Sequence, residues 1–168
     1  LADLIIEQHK FDLPAEAEKY INEEKGVTTA EEALAGARDI LAESFAENAE
    51  ARADIRKLFL EKGVITSKVV PGKEEAGIKY KDYFDWSEPV KSVPSHRLLA
   101  MRRGEKEQIL MHDVLPEESD AVAILDRMFV KGNASSSDQV RLAIADGYKR
   151  VLKPSMGTGV RLFTKKPA

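Results

Sequence analysis

The chain has 168 residues, of which 43% are hydrophobic and 33% are charged, a composition that supports a folded protein with a buried core. It contains no cysteine, which excludes disulfides and thiolate metal sites. The sequence has no run of about 18 apolar residues, so we predict no membrane span and no membrane partner, and we expect a cytoplasmic protein.

The net charge of −3 conceals an uneven distribution along the chain. Residues 1–66 carry 8 Lys and Arg against 15 Asp and Glu, a balance of −7, whereas residues 67–112 carry 9 against 7, a balance of +2. Cations must displace counterions from nucleic acid, so any nucleic-acid surface should follow Thr66. The alternative is that both balances only solvate helix surfaces. We divide the chain into an acidic helical region, 1–66, and a mixed, mainly helical region, 67–168.

Helix start and stop signals are frequent in the first part of the chain. Asp12 predicts the start of a helix, and Gly26 is typical of the residue just past a helix end. Thr29 and Glu32 form a capping box, in which each side chain accepts a hydrogen bond from a free backbone amide. A long helix should follow, with apolar residues at helical spacing: Leu34, Ala37, Leu41 and Phe45.

A further helix should begin at Asn48, which can cap it, and end at Gly63. Residues 64–72 are rich in β-branched side chains and close on Pro71 and Gly72, so they predict an extended connection.

The second half of the chain predicts three more helices and one strand. Ser95 can cap a short helix within residues 95–104, and residues 108–114 could form a strand. A helix should occupy residues 116–132, and a second capping box at 136–139 should open a last helix that ends at Pro154. The pattern as a whole predicts an all-α fold with six to eight helices and at most one small pair of strands.

Basic side chains concentrate in residues 94–107, beside a predicted helix end. Guanidinium groups form two parallel hydrogen bonds with phosphate oxygens, which makes arginine suitable for a phosphate backbone. We therefore predict nucleic-acid contacts from six residues: Lys68, Lys73, Arg97, Arg102, Arg103 and Lys106. The alternative is that these cations pair with Glu105, Glu107 or an acidic helix of the first region, and so join two subdomains.

Four aromatic side chains lie close together in the sequence: Tyr80, Tyr83, Phe84 and Trp86. Exposed rings could stack on bases, as they do in proteins that bind single strands. The chain has few other aromatic residues, so we favour a core in which Phe84 and Trp86 are buried. Tyr80, between Lys79 and Lys81, is the ring expected to remain exposed.

The sequence shows no arrangement of catalytic or metal-binding residues. His9, His96 and His112 lack the short helical spacing of a metal-binding pair. His112 and Asp113 are neighbours in a predicted strand, whose successive side chains point to opposite faces, so they cannot act together as base and orienting acid. Phosphate-loop, dinucleotide and nucleophile motifs are also absent from the sequence. We predict no enzymatic activity and no cofactor.

A family resemblance is carried by residues 63–107, GVITSKVVPGKEEAGIKYKDYFDWSEPVKSVPSHRLLAMRRGEKE. This stretch resembles the central region of Tex transcription accessory proteins. The segments YINEEKGV and EEALAGARDILAE before it, and AIADGYKRVLKPS after it, are similar to the same family in the same order. The resemblance extends over residues 17–155. This chain departs from the family at Gly157 and Gly159, because the last helix of Tex proteins continues at that point. The resemblance therefore implies no conformation for residues 156–168.

The resemblance implies a transcription-linked factor related to eukaryotic elongation factors. Tex proteins combine helical segments, a nuclease-like fold, a helix-hairpin-helix module and an OB-fold that binds RNA or DNA. The resemblance implies that this chain is a fragment preceding the nuclease-like and OB-fold domains. It also implies a helix-turn-helix-like unit, which we assign to the helices between Thr29 and Gly63. We expect a non-catalytic nucleic-acid-binding scaffold whose partners are RNA or DNA, the transcription machinery and the remaining domains. The alternative is an interaction module that only positions those domains.

Overall fold

The computed structural model describes residues 1–157, which fall into two compact units. The first unit comprises residues 1–54 and 119–154, and the second comprises residues 55–118 together with residues 155–157. The chain therefore leaves the first unit, forms most of the second and returns. This grouping differs from the division that the charge pattern favoured, because late helices pack on early ones within the first unit.

The described residues are mainly helical, as predicted. Three short 3-10 helices are present (Glu23–Lys25, Ile78–Tyr83 and Val90–Ser92), and a π-helical turn follows the last α-helix (Tyr148–Leu152). The α-helices are α1 (Ala2–Glu7), α2 (Leu13–Glu18), α3 (Ala30–Glu47), α4 (Ala49–Lys62), α5 (Ser95–Lys106), α6 (Glu118–Phe129) and α7 (Ser135–Gly147). Within this part of the chain, no helix has both the length and the apolar character needed to cross a membrane.

The first unit is built around α3 and α7, which pack against each other, while α1 and α2 also contact α3. Gly147 allows the close approach, because a Cβ atom added there would lie 2.8 Å from the carbonyl oxygen of Ala42. Phe45 of α3 stacks on Phe129 of α6, with ring centroids 4.4 Å apart. Further fully buried side chains complete the core: Ile5, Leu125, Val140, Ile144 and Tyr148.

Two predicted helix caps are confirmed. Thr29 Oγ1 accepts a hydrogen bond from the Glu32 amide at 3.1 Å, and Glu32 Oε2 accepts one from the Thr28 amide at 2.7 Å. The hydrogen bonds from Thr28 lower the pKa of Glu32. Asn48 Oδ1 accepts a hydrogen bond from the Ala51 amide at 2.9 Å, so one residue ends α3 and starts α4.

Two predicted helices end at other residues than expected. The helix expected from Asp12 to Gly26 ends at Glu18, and only a 3-10 turn precedes Gly26, whose φ of 79° is left-handed. The helix predicted to end at Pro154 continues further: α7 passes at Gly147 into a π-helical turn that extends to Leu152, and residues 153–157 are again α-helical.

The predicted capping box at the start of α7 is wrong. The helix begins two residues earlier than this box requires, at Ser135, and Ala134 precedes it without a side-chain cap. Ser136 Oγ instead donates to the carbonyl oxygen of His9 at 2.9 Å, and Gln139 accepts a hydrogen bond from Arg38 at 2.7 Å. Ser136 and Gln139 therefore bind partners that are distant in sequence and do not cap the helix.

Gln8 connects two segments of the first unit that are distant in sequence. Its Nε2 donates to the carbonyl oxygen of Phe129 at 2.7 Å, and its Oε1 accepts a hydrogen bond from the Lys131 amide at 2.6 Å. The substitution Gln8→Ala should lower the free energy of unfolding by about 1–3 kcal/mol, because it leaves two backbone groups without partners. Urea denaturation measures the loss. The control His9→Ala removes an exposed side chain and should change stability by less than about 0.5 kcal/mol. Equal losses in the two variants would contradict this role of Gln8.

The second unit contains a three-stranded antiparallel sheet where at most one pair of strands was predicted. Its strands are β1 (Val64–Val69), β2 (Asp85–Pro89) and β3 (Leu110–Leu115), in the order β2-β1-β3. The strand expected at residues 108–114 is confirmed as β3. The strand β2 was not predicted because it contains Pro89, which an edge strand tolerates. Ser67 of β1 lies opposite Trp86 and His112.

Candidate nucleic-acid interface

Helix α5 holds four of the six predicted binding residues. Its inner side buries Leu98, Met101 and Gly104, and the helix packs against β3. A Cβ atom added at Gly104 would lie 2.7 Å from Cγ of Leu110, so this close packing requires glycine. The helix starts at Ser95 without a side-chain cap, and the predicted capping role of Ser95 is therefore wrong.

The outer side of α5 carries Leu99, Arg102, Arg103 and Lys106, which we call the α5 basic face. Their spacing of i, i+3, i+4 and i+7 places them on one side of the helix. Together with Glu107 they line a shallow surface depression. Arg103 and Lys106 are exposed, Arg102 is half-buried, and Leu99 is 59% exposed. Three cations and one apolar side chain therefore share an accessible surface.

Glu107 is the acidic residue of this depression. Its carboxylate accepts hydrogen bonds from Tyr80 Oη and, at 3.3 Å, from Lys79 Nζ. The pKa of Glu107 is lowered, mainly by the hydrogen bond from Tyr80. Desolvation opposes this shift, and Lys79 and Arg103 reinforce it. Glu107 therefore stays ionised, and its one negative charge against three cations leaves the depression with a formal charge of +2.

Arg97 does not belong to the α5 basic face. Its Nε donates to Glu88 Oε1 at 2.8 Å and its Nη2 to Oε2 at 3.2 Å, while its guanidinium lies 5.6 Å from the Trp86 ring centroid. Trp86 Nε1 also donates to Glu88, at 3.1 Å. Burial opposes ionisation of Glu88, but these hydrogen bonds outweigh it and lower its pKa. The charge of Arg97 is therefore balanced within the protein, by Glu88, which the sequence had not indicated as its partner.

Lys68 and Lys73 lie on other parts of the second unit. Lys68 is exposed on β1 and forms an ion pair with Asp85, which is also exposed. Such a pair contributes little to stability in water. Lys73 is exposed and follows Gly72, whose φ of 85° marks a tight turn. The structure thus brings three of the six predicted cations into one depression.

The prediction that Tyr80 stays exposed is wrong. Tyr80 is only 5% exposed and packs with Ile109 and Leu110, and the partly buried Tyr83 and Phe84 cover this small cluster. The pKa of the Tyr80 phenol is raised, chiefly by burial and to a smaller extent by its hydrogen bond to Glu107. Trp86, which was expected in the core, is half-buried and lies edge-on to Tyr83 with ring centroids 6.3 Å apart.

Comparison of the sequence with known protein families and proteins identifies relatives of this chain. The family model described as Tex central region-like matches residues 8–148. The chain belongs to this Tex family. It is 46% identical over 110 residues to Protein tex of Bordetella pertussis, which covers 66% of the chain and 14% of that protein.

Two further relatives align with most of this Tex chain. It is 38% identical over 160 residues to Protein YhgF of Escherichia coli, which covers 90% of the chain and 21% of the relative. It is also 38% identical over 152 residues to Transcriptional accessory protein Tex of Neisseria gonorrhoeae, an alignment that covers 89% of the chain and 19% of the relative. The Tex chain therefore spans about a fifth or less of the length of these relatives.

The histidines of the Tex chain form no metal site within the described residues, because no three His, Cys, Asp or Glu side chains there lie close enough to hold an ion. His112 is buried on β3 and contacts Glu105, whereas Asp113 is exposed. The prediction that His112 and Asp113 point to opposite faces is confirmed by this alternation.

Proposed function

We propose that this Tex-family chain is a non-catalytic, nucleic-acid-binding and scaffold part of a transcription accessory protein, and that RNA or DNA lies along the α5 basic face. The observation that carries the proposal is the convergence of Arg102, Arg103 and Lys106 on one side of a helix whose other side is packed against β3. A row of cations held on a packed helix can contact successive phosphates with little loss of conformational entropy.

The other three predicted cations would contribute less to nucleic-acid binding. Lys68 and Lys73 are exposed and would add peripheral phosphate contacts. Arg97 would add at most a weak contact, because Glu88 already accepts hydrogen bonds from its Nε and Nη2 and balances its charge. The core of the proposed site is therefore Arg102, Arg103 and Lys106.

The remaining parts of the proposal concern the whole protein. A cytoplasmic location, contacts with the transcription machinery and contacts with further domains are supported by the relative named as a transcriptional accessory protein. A helix-turn-helix-like unit made of α3 and α4 also stays a prediction, supported by the single residue, Asn48, that joins the two helices.

A second candidate function is protein interaction without nucleic-acid binding. The exposed Leu99 favours it, because an apolar side chain among cations would suit an acidic partner that carries a matching apolar residue. In this case the chain would position the other domains and bind no nucleic acid alone.

The double substitution Arg103→Glu with Lys106→Glu tests the proposed site. Both side chains are exposed, so the fold should be retained. Fluorescence anisotropy of a labelled oligonucleotide at several salt concentrations should show weaker binding for this variant. The slope of log affinity against log salt should fall by about 1.4–1.8, because each lost phosphate contact removes about 0.7 for single strands and about 0.9 for duplex DNA.

The matched control is Lys57→Glu with Lys62→Glu, which changes the net charge equally at two exposed positions of α4. A general charge effect would weaken binding in both double variants to the same extent, and this result would refute a specific role of the α5 basic face. Absence of binding by the unmodified chain at low salt would instead favour the protein-interaction function.

A further inference from the structure

The second unit has a cavity, open to the surface, beside the start of α5. Asp82, Tyr83, Trp86, His96 and Arg97 line it, and its volume is about 320 Å³. This volume lies at the lower end of the range for small-molecule sites, about 300–1,000 Å³, so the cavity suits one flat ring or one large side chain. Its walls come from the 3-10 helix Ile78–Tyr83, from β2 and from α5.

The rings of the cavity are held in place by hydrogen bonds of the protein. Glu88 accepts hydrogen bonds from both Trp86 and Arg97, and Arg97 lies over the Trp86 ring. Tyr83 meets Trp86 edge-on, with an interplanar angle of 77°. Because these contacts fix the rings before any ligand arrives, a planar ligand would lose little binding free energy to the ordering of side chains.

The polar groups of the cavity indicate which ring it would receive. Asp82 supplies a carboxylate that can accept a hydrogen bond from an amino or imino group, and the His96 imidazole can donate or accept one. A nucleobase combines a flat aromatic ring with such donors and acceptors.

His96 of the cavity lies on the same side of α5 as the α5 basic face. His96 precedes Leu99 by three residues and Arg103 by seven, so all three lie on the same side. The rise of an α-helix places Lys106 about 15 Å beyond His96 along the axis, a distance that a few nucleotides span. A strand with one base in the cavity could therefore place its following phosphates on the basic face.

We propose that the cavity formed by Asp82, Tyr83, Trp86, His96 and Arg97 binds one unstacked nucleobase of a single-stranded nucleic acid. The inference rests on the proposed function, because it assumes that phosphates lie on the α5 basic face. It deepens that function by excluding intact duplex as the preferred ligand, since the bases of a duplex are stacked and paired and cannot enter a side pocket.

Trp86 provides a direct measurement, because it is the only tryptophan of the chain. An eight-nucleotide single-stranded DNA, an abasic strand of the same length and a short DNA hairpin duplex are each titrated into the full 168-residue chain. The base-containing single strand should quench the Trp86 emission and bind about tenfold more tightly than the abasic strand, because stacking on an aromatic ring adds binding energy for each base. The abasic strand and the duplex should leave the emission unchanged.

The variant Asp82→Ala separates base recognition from charge. Removal of a carboxylate should strengthen the binding of any polyanion if only charge matters. Our proposal predicts instead that the affinity ratio of base-containing to abasic strand falls toward one. The matched control Asp85→Ala removes an exposed carboxylate that does not line the cavity and should keep the ratio of the unmodified chain.

The outcomes distinguish the two proposals. Equal affinities for base-containing and abasic strands, with unchanged Trp86 emission, would refute the base pocket and leave the α5 basic face in place. If no strand binds at low salt, both proposals fail. Quenching of Trp86 by an acidic peptide with one phenylalanine, but by no oligonucleotide, would assign the cavity to a protein partner and also overturn the base pocket.

Discussion

The substitution Gly147→Ala is expected to lower the free energy of unfolding by about 1–3 kcal/mol, although alanine is the better helix former. The added Cβ atom would lie 2.8 Å from the carbonyl oxygen of Ala42 and 3.3 Å from its Cα atom. Both are backbone atoms of α3, so no side-chain rotation can relieve the overlap. The two helices must move apart, and the core of the first unit must loosen with them.

Gly36 provides the matched control, because it is also a helical glycine and its added Cβ atom would meet nothing within 4 Å. Gly36→Ala should raise the free energy of unfolding by up to about 1 kcal/mol. Urea denaturation followed by circular dichroism measures both variants. If Gly147→Ala is as stabilising as Gly36→Ala, then α3 and α7 do not pack as closely as described.

The second large effect is expected for Leu110→Ala in the second unit. Leu110, the first residue of β3, is 1% exposed and packs against Gly104 of α5 and Tyr80 of the 3-10 helix. Its truncation should lower the free energy of unfolding by about 2–5 kcal/mol, since it removes buried methyl groups and leaves a cavity. Chemical denaturation gives the size of the loss.

A double-mutant cycle with Gly104 makes this prediction specific. In the unmodified chain, Gly104→Ala should be destabilising because the new Cβ atom overlaps Leu110. In the Leu110→Ala background the two closest atoms, Cδ1 and Cγ, are gone and only the 3.3 Å approach to Cβ of residue 110 remains, so Gly104→Ala should cost much less than in the unmodified chain. Additive effects of the two substitutions would show that α5 is not held against Leu110.

The parts of the fold that local signals determine were predictable from the sequence. The caps at Thr29 and Asn48 use partners within three residues, so their residue types alone indicate the start of α3 and α4. The third strand, β2, was not predictable in this way. Its pairing with β1 depends on residues about twenty positions away, and Pro89 makes the segment appear irregular.

The candidate site was predictable in composition but only partly in geometry. The i, i+3, i+4, i+7 spacing of the α5 basic face can be read in the sequence once the helix is placed. The separation of Arg97 from that face depends on Glu88, which lies on the unpredicted strand. Tyr80 is buried for a similar reason, because Ile109 and Leu110 cover it from a distant part of the chain.

The return of the chain to its first unit has a consequence for synthesis on the ribosome. Helix α3 is complete at Glu47, but α7, which covers it, is finished only at Gly147. At about 5–20 residues per second, the apolar side of α3 waits roughly 5–20 s for its partner to emerge. The strands β1 to β3 all lie between Val64 and Leu115, so the second unit can form during this interval. The nascent chain therefore holds an uncovered helix while its later unit folds, and a chaperone that shields α3 should increase the yield of native protein.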